Sequence, residues 1–389
     1  FSWVIAGPHC TQWMGAMGAE VIKVESARLE DRARERGRME GQSRGGEFPL
    51  LNNTKLSVTL NLTQPRAQEL ARALIMVSDV VIENYATGVM ERLGLDYDKL
   101  AAMKPELILV SSTGLGRTGP DRDYVANGMP IHSFSGLTGI TGYEGGPPGW
   151  NRATWTDPST GRLLAFAVLA ALYHRRRTGE GQRIEIAMSE GTIARIPEAI
   201  MDYTMNGRVW GPRGNFDETM CPHGCYPTDA DDTWIALAVE SEEQWQALCG
   251  LMGQPSLGKD SRFIDLVQRQ NNRLELDDVV SAWTATQERG DLFHRLQRAG
   301  IPAGPSNPID SIFSDPQLED RGLFFTQPRP DLGGEMRLVM RMPWLLSPDS
   351  AVKYYPTPVL GQDSWFVLHE ILGLSDQEFA RLVESKVIY

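Results

Sequence analysis

Cysteine, histidine and positive charge are all scarce in this chain, and no apolar run approaches the length of a membrane span. The four cysteines, Cys10, Cys221, Cys225 and Cys249, are too few and too unevenly placed for a disulfide framework and read as free thiols. Cys221, His223 and Cys225 sit close together, but a structural zinc site needs four ligands in two separated pairs, so no metal is expected. Lys and Arg number 38 against 50 Asp and Glu, a formal charge of −12. Such a balance repels polyanions, which excludes nucleic acid and anionic membrane surfaces as ordinary partners. The longest apolar stretch, Leu163 to Tyr173, falls well short of the ~20 residues that cross a bilayer. The absence of a charged leader and of a cleavage-site pattern reads as a cytoplasmic protein. Also missing is the dinucleotide fingerprint. The first turn runs Ala6, Gly7, Pro8, His9, Cys10 where G-x-G-x-x-G would be needed, and Pro8 lacks a donor that a pyrophosphate would use.

What is present is a 389-residue chain, long enough for two domains. Phe1 to Ala6, Glu20 to Glu25, Asp79 to Glu83 and Glu106 to Ser111 read as strands. Helical stretches at Thr11 to Gly18, Pro65 to Ser78 and Val89 to Met103 lie between them. Strand and helix in alternation predict a doubly wound, Rossmann-like α/β large domain. Residues 1–206 supply its first part, 207–232 form a linker, 233–314 a small α+β domain, and 315–389 return to the large one.

Trp155 to Gly161, followed at once by the apolar run, is the stretch around which the rest is organised. Asp157 before Pro158 has the form of a helix cap, its carboxylate taking the unpaired amides of the first turn. A carboxylate held ionised at a positive helix end can also attack an acyl carbon. One residue therefore supports a structural and a chemical role. Elsewhere, arginines cluster between Ser26 and Arg44 among acidic residues. This pattern fits either a solvated charged face or a phosphate clamp.

Several blocks, in their order and spacing, bear on both questions. They are Ala6 to Pro8 with Thr11 and Gln12, Gly18 to Glu25, Val81 to Tyr85 through Val89 to Gly94, Gly116 to Pro120, and Asp157 to Gly161 followed by Leu169 to Arg175 and Arg177 to Gln182. Together they resemble the family III CoA-transferases, the CaiB/BaiF family that includes formyl-CoA and carnitine CoA-transferases and the α-methylacyl-CoA racemases. The resemblance implies that Asp157 is the acyl-accepting nucleophile, working through a mixed anhydride and an aspartyl-CoA thioester. It places CoA contacts on Val4, Ile5 and Ala6, on Arg34 for phosphate, and on Asn84, Tyr85 and Arg92 around the nucleotide. It further implies acyl-CoA and small carboxylic acids as substrates, no permanently bound cofactor, and an interlocked homodimer.

The chain departs from the family at Asn127 and Gly128. These stand where racemases carry a His-Asp pair and many transferases a Tyr-Asp pair or an acidic residue. Racemisation needs a base on each face of the α-carbon, so the departure favours transfer. A racemase of the same family and a CoA-binding, non-catalytic subunit are the alternative readings. Trp150, Arg152, Trp155, His132 and Tyr226 are the expected acyl-pocket residues, and Arg152 points towards a dicarboxylic or polar acid.

Overall fold

The chain enters helix α1 (Ala6–Ala16) and crosses to strand β1 (Ile22–Glu25), which pairs in parallel with β2 (Leu56–Thr59). A computed structural model describes residues 1–35, 46–149, 155–329, 334–339, 342–347 and 355–389. Helix α2 (Pro65–Val77) opens on a proline, whose missing amide costs nothing at that position. It buries Ala67, Leu70, Ala71, Leu74 and Ile75, a stripe at helical spacing. Strands β3 (Val80–Glu83) and β4 (Ile108–Thr113) follow. After them come helix α3 (Gly128–Phe134), the long helix α4 (Thr156–Thr178), strand β5 (Gln182–Ala187) and helix α5 (Pro197–Asn206). Strands β3, β4 and β5 form a second parallel sheet in that order. Both β3 and β4 are buried along most of their length, as parallel strands covered on two faces must be.

These elements belong to one compact unit, made of Phe1–Gly139, Trp150–Trp210 and Glu319–Tyr389. The chain's end is part of its core: Val367, Leu368, Leu382, Val387 and Ile388 pack with Val58, Leu60, Leu70 and Leu74. A second unit comprises Ile140–Gly149 and Gly211–Leu318. Its antiparallel sheet runs β6 (His223–Pro227), β7 (Trp234–Ala238), β8 (Ala303–Pro305). Helices α6 (Glu242–Leu251), α7 (Arg273–Thr284) and α8 (Arg289–Arg298) belong to the same unit. Trp245, Phe263, Leu276, Leu292 and Leu296 are fully buried in its core.

Three sequence expectations are corrected. Phe1 to Ala6 is not a strand: the peptide groups of Trp3 bond the Asn84 side chain in place of a ladder, and a helix starts at Ala6. The helix read across Val89 to Met103 is two, Val89–Arg92 and Tyr97–Met103, parted at Gly94 with φ +70°. The stretch 207–232 read as a linker contributes β6 to the second unit's sheet. Leu338 and Val339 lie in the strand Gly334–Val339, which pairs antiparallel with Phe324–Arg329. Met340 and Arg341 fall outside the described residues.

Candidate active site

Helix α4 is specified at both ends. Asp157 lies in its first turn, where negative charge meets the positive helix end, and Arg175, Arg176 and Arg177 lie in the last. Gly179, at φ +79°, ends the helix in the left-handed conformation that glycine adopts without strain. The cap position itself falls on Trp155, so Asp157 is the helix's second residue and not its cap.

Asp157 is 8% exposed and Thr156 2%. The Thr156 hydroxyl stands 3.2 Å from Asp157 Oδ2 and 3.2 Å from the carbonyl oxygen of Gly128, the first residue of α3. Asn127 and Gly128, the family departure, therefore adjoin Asp157 through Thr156. One turn along α3, His132 is buried with its Nδ1 2.9 Å from the Thr138 hydroxyl. Burial pushes the His132 imidazole below its ordinary pKa.

Gly161, one turn after Asp157, lets α1 approach. A Cβ there would stand 2.8 Å from the Ala6 carbonyl oxygen and 2.9 Å from His9 Cβ. The start of α1 thus lies against the first turns of α4, and two helix N-termini favour negative charge in the same neighbourhood. Val4, at φ +62°, turns the chain into this helix, with its amide donating to Asp31 Oδ1 at 2.9 Å. Ile5 occupies the cap position of α1, and both Ile5 and Ala6 are buried.

Asn84 accepts from the Trp3 amide at 3.0 Å and donates to its carbonyl at 2.9 Å, fixing the loop that leads to Val4. Tyr85 borders a cavity of about 460 Å³ with Trp3, Arg28, Leu29, Asn61 and Val89. This cavity lies at the carboxyl ends of the parallel strands β1, β2 and β3, the side on which parallel α/β sheets commonly bind ligands. Burial pushes the Tyr85 phenol up, so it stays protonated as a donor. Beneath it, Glu83 pairs with Arg117 at 2.7 Å, and Arg117 reaches Glu91 at 2.6 Å. Arg92 ends the short helix that carries Val89; it is exposed and forms no ion pair among the described residues.

Arg34 is placed differently from the expectation. Its side chain is fully buried, donating from Nε to Glu25 Oε1 at 3.0 Å and from Nη2 to Glu25 Oε2 at 2.7 Å. The guanidinium also lies 3.6 Å from the centre of the Phe48 ring. Burial would raise the Glu25 carboxyl, but Lys23, Arg34 and the Ser57 hydroxyl overcome it and hold the pKa below the ordinary value. Arg34 is thus an internal ion-pair partner here, its guanidinium engaged by the Glu25 carboxylate and not turned to the cavity's solvent side. Arg28, exposed at the cavity, and Arg32, exposed with its guanidinium 5.9 Å from the Trp3 ring centre, are the cations of the same cluster that face solvent among the described residues. Arg36, Arg38 and Arg44 lie outside the described residues.

Of the expected acyl-pocket residues, Trp155 is 55% exposed at the start of α4. Trp150 and Arg152 lie outside the described residues. Tyr226 belongs to the second unit, where it donates to Asp277 Oδ1 at 2.6 Å. His223 Nδ1 donates to the Asn215 carbonyl, and among the described residues no group of three His, Cys, Asp or Glu could hold a metal ion. Thr156 and the Gly128 carbonyl were not legible as site groups, since only the fold brings residue 128 to residue 156.

The pattern described as CoA-transferase family III matches residues 1–364. A protein of Chloroflexus aurantiacus named succinyl-CoA–D-citramalate CoA-transferase is 33% identical over 384 residues, covering 99% of this chain and 95% of its own length. One of Agrobacterium fabrum, named succinate–glutarate CoA-transferase, is 33% identical over 377 residues, covering 95% and 92%. The crystal structure of a CaiB/BaiF family protein from Brucella suis superposes with a TM-score of 0.87 at 29% identity, covering 95% of this chain and 97% of that one.

Proposed function

This chain belongs to CoA-transferase family III, and from that premise we propose that it moves CoA from a short acyl-CoA to a dicarboxylic acid through covalent intermediates on Asp157. CoA transfer between acyl-CoA thioesters and carboxylic acids is the activity of the enzyme. The dicarboxylic preference is supported by the names of the Chloroflexus and Agrobacterium relatives, both of which pair succinate or its thioester with a second diacid.

A carboxylate oxygen of Asp157 attacks the thioester carbonyl and expels CoA as the thiolate, leaving a mixed anhydride. The thiolate then attacks the aspartyl carbonyl, releasing the donor acid and leaving aspartyl-CoA. An acceptor carboxylate attacks that thioester, again expelling the thiolate, and forms a second mixed anhydride. Thiolate attack on its acceptor-derived carbonyl releases the new acyl-CoA and restores the Asp157 carboxylate. Each step exchanges one activated acyl group for another, so no external energy source is needed. The neighbouring starts of α1 and α4 favour the negative charge that persists through the cycle.

The observation that carries this reading is Asp157 in the first turn of α4, against the start of α1, in a chain matched to the family over most of its length. CoA stays bound while the acids exchange. The nucleotide lies in the strand-end cavity beside Tyr85, with Val4, Ile5, Ala6 and Asn84 lining its approach. Arg28 and Arg92 take the phosphates that Arg34 cannot reach from the core. A second copy covers α5, which buries none of its residues although Met201 and Met205 are exposed, and the outer face of α4 with Phe166 and Tyr173. Sedimentation at the mass of a single copy would contradict the dimer.

The activity test mixes succinyl-CoA with a panel of mono- and dicarboxylic acids and follows the new thioesters. Transfer to diacids, abolished by Asp157→Asn, is expected. Racemisation of a 2-methylacyl-CoA without any exchange would overturn the reading.

A further inference from the structure

The buried hydroxyl of Thr156 has one proton and two acceptors: Asp157 Oδ2 at 3.2 Å and the Gly128 carbonyl oxygen at 3.2 Å. The residue itself is held firmly, since the Thr160 hydroxyl donates to its carbonyl at 2.7 Å and closes the first turn of α4. The two acceptors do not compete equally through the reaction. An ionised carboxylate draws a charge-assisted bond, roughly twice as strong as a neutral one. Once acylated, Asp157 carries no charge, and the oxygen of an anhydride or thioester accepts more weakly than that of an amide. The proton then favours Gly128.

We infer that Thr156 is a positioning residue whose hydroxyl holds Oδ2 while Asp157 is ionised and turns to Gly128 when Asp157 is acylated. The inference rests on the proposed nucleophilic role of Asp157. Holding Oδ2 fixes the plane of the carboxylate, so its two oxygens are no longer interchangeable. Turning away relieves the hydroxyl of a poor acceptor without stranding it, because a buried donor without a partner would destabilise that state. No bond to Thr156 forms or breaks; only its O–H rotates. A backbone carbonyl at the start of α3 serves as the alternative acceptor.

The test compares Thr156→Val, nearly isosteric but without the hydroxyl, with Thr156→Ser, which keeps it, using succinyl-CoA and a diacid acceptor. For Thr156→Val, kcat should fall about 10- to 100-fold while KM for the thioester stays within about threefold, the pattern of a lost orientation and not of lost binding. Thr156→Ser should recover to within about threefold of the native kcat. Thr156→Ala provides a second hydroxyl-free variant should valine disturb folding, with the same fall expected. A hydroxyl-free variant with native kcat, or a serine variant as impaired as the valine one, overturns the inference. Asp157→Asn separates the two levels. If it keeps full turnover, the nucleophile reading fails and this inference with it; if it is inactive while Thr156→Val is native, only the inference fails.

Discussion

The strand-end cavity and the first turn of α4 lie in the same unit, yet different groups surround the charges in each. Around the cavity, charges are buried in pairs: Lys23 with Asp31, Arg34 with Glu25, and Arg117 with Glu83. These pairs hold backbone. Asp31 takes the Val4 amide, Lys23 the Ser2 carbonyl, and Arg34 the Pro358 carbonyl from the far end of the chain. At α4, a carboxylate meets a threonine hydroxyl beside two helix starts. Buried ion pairs fix where the chain runs, whereas at α4 the Thr156 hydroxyl, 3.2 Å from Asp157 Oδ2, meets the carboxylate that the proposed mechanism acylates.

The comparison breaks most visibly at Arg34. Replacing it with Ala removes the guanidinium partner of the buried Glu25 carboxylate and leaves it to Lys23 and Ser57, and denaturant unfolding should show a loss of about 3 kcal/mol. Adding Glu25→Gln should recover part of that loss. An Arg34→Ala protein of native stability with a raised KM for acyl-CoA would return Arg34 to phosphate binding. At Gly161, alanine would press on the Ala6 carbonyl and His9 Cβ at 2.8 and 2.9 Å. Stability should fall by about 1–3 kcal/mol. The kcat should fall too, because α1 and α4 would part beside Asp157. Native kcat in that variant would show that their close approach does not set the reacting geometry. The smallest effect belongs to Arg92. Its replacement by Ala should leave stability within about 0.5 kcal/mol and raise KM for CoA thioesters about tenfold, the mark of an exposed phosphate contact. An unchanged KM would leave Arg28 as the phosphate partner.

Sequence alone located β3 and β4 well, because strands buried on both faces are continuous apolar runs. It did not single out β2. Leu56 to Thr59 is half polar, follows a polar turn, and is a strand because β1 lies beside it to pair with. Nor did it find β6, whose glycine, cysteine and proline read as loop until β7 supplies a ladder. The helix start at Asp157 was legible from its block, but the residue's place as second in the helix was not, since capping depends on the dihedrals of Trp155. Arg34 shows the sharper limit. A guanidinium among carboxylates fits a clamp or an internal pair equally well. The internal pair depends on Glu25, nine positions earlier on a buried strand, and on the Phe48 ring, neither of which marks itself as a partner in the sequence.

On the proposed mechanism Asp157 becomes acylated, and that covalent state can be trapped. The native enzyme is incubated with acyl-CoA and no acceptor acid, reduced with borohydride, digested and mapped by mass spectrometry. Reduction of an aspartyl-CoA thioester to the alcohol should convert position 157 to homoserine, only when acyl-CoA was present. An unmodified peptide containing Asp157 under conditions where CoA exchange proceeds, or the mark on another carboxylate, would contradict the account.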